Sequence, residues 1–237
     1  MARTKRIVGL VVIPAYNVER SIAQVVRGAG VYLPVLVVDD GSTDDTAQRA
    51  RAAGAKVSQH EQNRGKGVAL QTGFNYAMEH NYDFVITLDA DGQHDPNEIP
   101  KFIKSYTIWR ADLIIGQRDF TLMPVMRQMS NTFSRIIFSW AAGRKIPDNQ
   151  SGFRLISRRL LEGLLEPGER GYEFEVEMIV SCILQGYRMR WVPIRTIYEN
   201  EMSHIHPLRH FIKFMQVSLR THHILKNPSC RVNKSYS

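Results

Sequence analysis

Cysteine is scarce: the 237 residues include two, Cys182 and Cys230. They lie far apart, form no C-x-x-C pair and sit beside no histidine cluster, which argues against a disulfide framework or a zinc site and fits a reducing cytoplasm. Long apolar runs are missing as well. Charge-free stretches such as Ile7 to Val18 and Gly28 to Val38 fall short of the roughly 18 residues that cross a bilayer, and Pro14 and Pro34 interrupt them. The expectation is a chain without a transmembrane anchor, whose membrane contact, if any, is peripheral. Basic Met1 to Arg6 runs into a strand-like segment rather than a signal peptide. Acidic residues are also in deficit, 23 against 31 Lys and Arg, giving a net charge of +8. That surplus suits an anionic partner (nucleic acid, acidic lipid or a phosphorylated substrate) or serves solubility. No recognition-helix, RNP or zinc-finger pattern is present, so no nucleic-acid partner is expected.

With 43% hydrophobic residues, the chain can bury the core of one large α/β domain. Its most informative segment is Asp89-Ala90-Asp91, directly after the apolar run Phe84 to Leu88. A buried strand that delivers carboxylates at its C-terminal end places them where open α/β sheets bind ligands. Residues i and i+2 of extended chain face the same side, so both carboxylates can meet one cation. Taken alone, D-x-D also occurs by chance in solvated turns.

The first half alternates strand and helix signals. Strands are expected at Ile7 to Ile13, Val35 to Val38, Ala55 to Ser58 and Phe84 to Leu88. Between them, Asn17 is expected to cap a helix reaching Ala29, Ser42 or Thr43 a helix ended by Gly54, and the loop Asn63 to Gly67 leads a helix to about His80. Asp95-Pro96-Asn97-Glu98 signals a further helix start, with Asp95 as N-cap and Pro96 at the first position. Leu113 to Gly116 reads as a strand. Helices follow near Met126 to Ala142, Arg158 to Leu165 and Phe174 to Gln185, then a strand near Met189 to Pro193. The pattern predicts a doubly wound, mostly parallel sheet with helices on both faces.

On that layout Pro14 to Asn17, Asp39 to Ser42 and Asp89 to Gln93 all end strands along one edge, a crevice of nucleotide size. There Tyr16 can stack on a base, Asp39 or Asp40 can accept base or ribose hydrogen bonds, and the D-x-D pair can hold a metal on a diphosphate.

The ordered set V-I-P-A-Y-N, V-V-D-D-G-S-T-D-D-T, N-R-G-K-G-V-A-L, L-D-A-D-G-Q-H-D-P, I-I-G-Q-R and S-G-F-R resembles family 2 nucleotide-sugar glycosyltransferases of the GT-A fold, over roughly Ile7 to Arg195. Within the family it is most similar to the polyprenyl-phosphate sugar transferases of the dolichyl-phosphate mannosyltransferase or glucosyltransferase type. The resemblance implies that Pro14, Ala15, Tyr16, Glu19, Asp39, Asp40, Lys66, Asp89 and Ala90 bind the nucleotide sugar. It makes Asp89, Asp91 and Gln93 the ligands of Mg²⁺ or Mn²⁺, and leaves His94 as a bystander. Arg118 matches the arginine of a G-S-R motif in which Gln117 replaces Ser. With Arg127, Ser130, Asn131 and Arg154 it would form the acceptor-phosphate side, though Arg154 can equally serve structure, and Asp91, Arg118 and Arg127 would carry catalysis. For Arg127 a solvated helix-start arginine fits as well. Residues 1–200 would form the catalytic domain, its nucleotide half 1–116 and acceptor half 117–200, followed by a C-terminal loop and basic helix at 201–237.

The implied reaction is metal-dependent, inverting transfer of a hexose from a GDP-mannose or UDP-glucose type of donor to polyprenyl phosphate on the cytoplasmic face of the membrane. A phosphomonoester acceptor is already ionised at neutral pH, its second pKa being about 6, and needs no base. The alternative is transfer to a saccharide or other hydroxyl, with Glu173, Glu175 or Glu177 as base; these glutamates also suit a helix N-terminus. Leu208, Phe211, Ile212, Met215 and Leu219, flanked by Arg209, His210, Lys213, Arg220 and Lys226, describe either a basic helix on an anionic membrane or one packed on the domain. Phe133, Ile136, Ile137, Phe138 and Trp140 form either a second membrane-facing surface or core. Ser203 and His204 fall in a loop similar to the family's acceptor-side loop. Whether a separate membrane-anchored partner takes part stays open.

Overall fold

The computed structural model describes residues 7–122, 125–164, 174–195, 197 and 207–226, and within these the side chains of all but 122–127 and 207–213. β1 (Gly9–Ala15), β2 (Val35–Asp39), β3 (Lys56–Gln59), β4 (Phe84–Thr87), β5 (Leu113–Arg118), β6 (Arg154–Ser157) and β7 (Met189–Ile194) form one sheet in the order β3-β2-β1-β4-β6-β5-β7. All run parallel except β6, which is antiparallel to both β4 and β5. The helices are α1 (Ile22–Gly30), α2 (Thr46–Ala52), α3 (Lys66–Glu79), α4 (Ile99–Trp109), α5 (Val125–Ala141), α6 (Arg158–Leu164), α7 (Phe174–Leu184) and α8 (Pro207–Lys226).

The central strands are continuous aliphatic runs because both their faces are covered. Alternate residues enter two cores. Leu10, Val12, Leu36, Val38 and Val85 pack with Phe74 of α3, Phe138 of α5, Leu160 of α6 and Ile179 of α7. Val11, Ile13, Val35, Val37 and Ile86 pack with Ile22 of α1 and Phe102 of α4. The fold is the expected α/β sheet with helices on both faces. β6 was not foreseen as a strand, since its four residues follow a loop whose sequence reads as a motif rather than a periodic element. Both rims are short or charged: β3 begins on exposed Lys56, and β7 exposes Arg190 and carries Pro193.

Two expected caps are corrected. Asn17 sits at φ +52° and caps no helix: its backbone N–H donates to Ser42 Oγ at 2.9 Å, and its Oδ1 accepts from the Thr43 N–H at 2.9 Å. It ties the loop after β1 to the loop after β2. Neither Ser42 nor Thr43 caps α2; Asp44 Oδ1 takes the Thr46 N–H at 3.0 Å instead. Asp95 does accept from the Asn97 N–H, at 2.9 Å, opening a short 3-10 turn, Pro96–Glu98, that runs into α4.

Candidate active site

Ala15 of β1 pairs with Asp39 of β2, and Val12 with Thr87 of β4. Three adjacent parallel strands therefore end together, bringing Tyr16, Asp39 and the Asp89–Asp91 loop to one edge, as the sequence pattern predicts. Pro14 and Ala15 are buried strand residues there, and Tyr16 is exposed. Asp39 is fully buried; Ser42 N–H donates to Oδ1 at 3.2 Å, and Oδ2 has no partner. A buried carboxylate oxygen without a donor is costly unless something else supplies one.

Asp40 points elsewhere. It accepts from the backbone N–H groups of Arg64 at 3.0 Å and Gly65 at 2.7 Å, and its Oδ1 meets His60 Nδ1 at 2.7 Å. These bonds fasten the loop before α3, a scaffold role that the sequence pattern does not reveal. His60 Nε2 in turn meets Thr72 Oγ1 of α3 at 2.9 Å. Glu19 is also engaged locally, accepting from the Asp45 N–H at 3.3 Å.

At the D-x-D loop, Lys66, the first residue of α3, reaches Asp89 Oδ1 at 2.7 Å and Glu175 Oε1 at 2.8 Å. Burial works against the charge on Lys66, yet these two carboxylates outweigh it and hold the ammonium above its ordinary range. Burial likewise opposes ionised Asp89, but Lys66 above all keeps it down at about 2. Burial and then the charge of Asp89 push Asp91 up. Asp91 is exposed and accepts from the Gln93 N–H at 2.9 Å; Ala90 O accepts from Ser21 Oγ at 2.6 Å.

His94 is more than a loop bystander. It is buried against Phe153, with ring centroids 5.4 Å apart, and its Nδ1 accepts from the Asp89 N–H at 3.4 Å. Burial lowers its pKa, against the pull of Asp89 and Asp91. Glu175 was equally underweighted. The pattern Glu173, Glu175, Glu177 suits a helix dipole, and nothing local reveals that α7 turns Glu175 toward Lys66. Glu173 lies outside the described residues, as do Ser203 and His204.

On the other side of Asp89, Arg118 at the end of β5 is clamped by Asp148, with Nε to Oδ2 at 2.8 Å and Nη2 to Oδ1 at 3.0 Å. Asp148 is buried and also accepts from the Gln150 and Ser151 N–H groups. Sequence reasoning missed Asp148 because it belongs to no motif. Arg127 lies in α5 with its side chain outside the described set; Ser130 is exposed and Asn131 half-buried on the same helix. Arg154 has contacts that suit the structural one of its two expected roles. It is fully buried and donates to the carbonyls of Ser151 at 2.7 Å, Asn149 at 3.0 Å and Glu175. Burial pulls its pKa down to about 10 despite nearby carboxylates. A guanidinium held by three carbonyls braces the loop.

Asp89, Asp91 and Gln93 offer only hard oxygen donors, the set that suits Mg²⁺ or Mn²⁺. Among the described residues no three His, Cys, Asp or Glu side chains form a metal cage. Cations of this kind need only one or two carboxylates when substrate phosphates and water complete the shell, so the donor set fits.

Residues 10–165 match the model of Glycosyl transferase family 2. The UDP-N-acetylglucosamine–dolichyl-phosphate N-acetylglucosaminyltransferase of Methanococcus voltae is 32% identical over 79% of this chain and 84% of its own. The undecaprenyl-phosphate mannosyltransferase of Micrococcus luteus is 33% identical over 82% of this chain and 85% of its own. Among solved structures, glucosyl-3-phosphoglycerate synthase from Mycobacterium tuberculosis, in complex with Mn²⁺, UDP and phosphoglyceric acid, superposes with a TM-score of 0.72 at 22% identity, over 97% of this chain and 81% of that one. The chain belongs to glycosyl transferase family 2, and it is a glycosyltransferase of the GT-A fold.

Proposed function

We propose that this enzyme transfers a hexose, with inversion, from a nucleoside diphosphate sugar to polyprenyl phosphate at a membrane surface, using Mg²⁺ or Mn²⁺. The observation that carries the reading is that the D-x-D carboxylates and the Arg118–Asp148 pair follow strands ending at the same sheet edge, where the charge of Arg118 acts on Asp89. Relatives named for dolichyl and undecaprenyl phosphate acceptors support the choice of acceptor. The neighbour's Mn²⁺ and UDP complex supports the donor side.

In this reading Tyr16 stacks on the base, and the unpartnered oxygen of Asp39 takes a base or ribose hydrogen. Asp89, Asp91 and Gln93 would hold the metal, which would supply positive charge to a leaving diphosphate. Asp148 fixes the fork of Arg118, and Arg118 with Arg127 positions the acceptor phosphate toward the anomeric carbon. No base is needed, because the acceptor arrives ionised.

The acceptor implies a membrane, and two features suit one. On α5, Met129, Phe133, Ile136 and Trp140 recur along one helical face and are 65, 48, 59 and 55% exposed; α8 lies against α5 and exposes Leu219, with His222 stacked on Trp140 at 4.3 Å. Residues 121–147 and 202–237 together hold ten Lys and Arg and no Asp or Glu, leaving the rest of the chain slightly acidic. Exposed apolar rings on stretches of chain whose only full charges are basic suit an anionic bilayer surface. Among the described residues no helix is long and apolar enough to cross the membrane.

One observation favours a second reading, transfer to a hydroxyl: Glu175 stands in the site. Lys66, however, already holds one of its two carboxylate oxygens at 2.8 Å. A donor panel of UDP-glucose, UDP-N-acetylglucosamine and GDP-mannose, each with Mn²⁺ or Mg²⁺ and a short polyprenyl phosphate, tests the proposal. Metal-dependent labelled lipid, abolished by Asp91→Ala, is expected. Nucleotide release with no labelled lipid, lost in Glu175→Gln, would establish the hydroxyl acceptor instead.

A further inference from the structure

Lys66 stands where local helix energetics disfavour it. As the first residue of α3 it puts positive charge at the positive end of the helix dipole. The residue before it, Gly65, has φ +91° and accepts that backbone turn. What compensates is the pair of carboxylates, Asp89 from the end of β4 and Glu175 from the first turn of α7, each within 2.8 Å of Nζ. Three separate elements converge to hold one ammonium beside an expected metal ligand.

We propose that Lys66 is an internal counter-ion that competes with the divalent metal for Asp89, and that Glu175 is the positioning residue that receives it. While Nζ sits on Oδ1, Asp89 is a poor ligand, since its charge is already neutralised and the ammonium lies in the approach. Lys66 must leave Asp89 for the carboxylate to ligate a metal. Glu175, with its oxygen already in contact, gives the ammonium a place to stay without carrying it out of the site. A nucleoside diphosphate, bringing new anionic oxygens, draws Lys66 the same way. The consequence is that metal and nucleotide load together, and the free enzyme holds metal weakly. Neither Asp89 nor Lys66 is sealed from solvent, with side chains 25 and 38% exposed, so the exchange needs no unfolding.

The inference rests on the proposed metal role, and the test separates the two. Mn²⁺ binding is measured by titration with electron paramagnetic resonance, with and without UDP, in the wild type, Lys66→Met, Glu175→Gln and the double variant, each checked by thermal melting. Methionine keeps the aliphatic stem and removes the charge. Lys66→Met is expected to tighten nucleotide-free Mn²⁺ binding by about fivefold, the order of one partly exposed ion pair. Glu175→Gln is expected to weaken it, because Lys66 then leans on Asp89 alone. In the double variant the Glu175 effect should disappear, whereas simple long-range charge effects would add. Additive effects, or no tightening in Lys66→Met, would overturn the competition and leave the metal role standing. A wild type that binds no Mn²⁺ even with UDP would overturn both.

Discussion

A Cβ placed on Gly152 would lie 2.3 Å from Asp89 Oδ2 and 2.7 Å from Oδ1. The glycine of the S-G-F-R segment is thus a backbone cradle for the first carboxylate of the D-x-D pair, and Thr87 Oγ1 holds its carbonyl at 2.7 Å. Any side chain there must push Asp89 out of place.

Gly152→Ala is therefore expected to lower turnover by about 10²-fold, the usual effect of a misplacement near 1 Å, with its circular dichroism spectrum unchanged. Steady-state kinetics at saturating metal checks this. Wild-type turnover would mean that Asp89 tolerates the shift.

Arg154→Lys should act on stability rather than on acceptor binding. A lysine cannot serve three carbonyls from one position, and each carbonyl left unsatisfied costs about 1–3 kcal/mol. A marked fall in Tm is expected, with KM for polyprenyl phosphate nearly unchanged in the protein that remains folded. The opposite pattern would return Arg154 to the substrate.

The exposed face of α5 makes a prediction about membranes. Phe133→Ser with Trp140→Ser should abolish sedimentation with vesicles rich in phosphatidylglycerol, since each ring contributes about 1.5–3 kcal/mol when buried, and lower Tm modestly through the lost stack of Trp140 on His222. The wild type should be released by high salt, which screens the basic contribution. Sedimentation of the double variant at wild-type level would remove this face from the account.

Cys182 is buried in the core beside α7 neighbours, and burial pushes its thiol up to about 12. In a Cys230→Ser background the native protein should not react with an aromatic disulfide reagent at pH 8, because the thiolate is the reactive form. Reaction is expected only after denaturant exposes it.

The sheet and the crevice were legible because they rest on local signals. Aliphatic runs such as Leu10 to Ile13 declare buried parallel strands, and Asp89-Ala90-Asp91 follows one of them directly. What the chain hid was pairing at a distance. Asp40 and Asp39 are neighbours of identical chemistry, yet one fastens a loop 24 residues away while the other keeps a free buried oxygen. Arg154 in its motif suits substrate or structure alike; the carbonyls of Ser151, Asn149 and Glu175 that it meets are invisible in sequence. Asp148 and Glu175 acquire meaning only through Arg118 and Lys66, residues 30 and 109 positions away.

The rims of the sheet bear on life at a crowded surface. A strand rim with open backbone groups is a template for another molecule's strand, and a protein gathered on a bilayer meets its own copies far more often than one in bulk solution. Here one rim is four residues long and opens on Lys56, and the other presents Arg190 and a proline that cannot donate. Copies concentrated side by side repel at both rims. The same sheet that lines up the strand-end loops thereby carries rims that resist pairing with a second copy, which the proposed membrane surface would bring close.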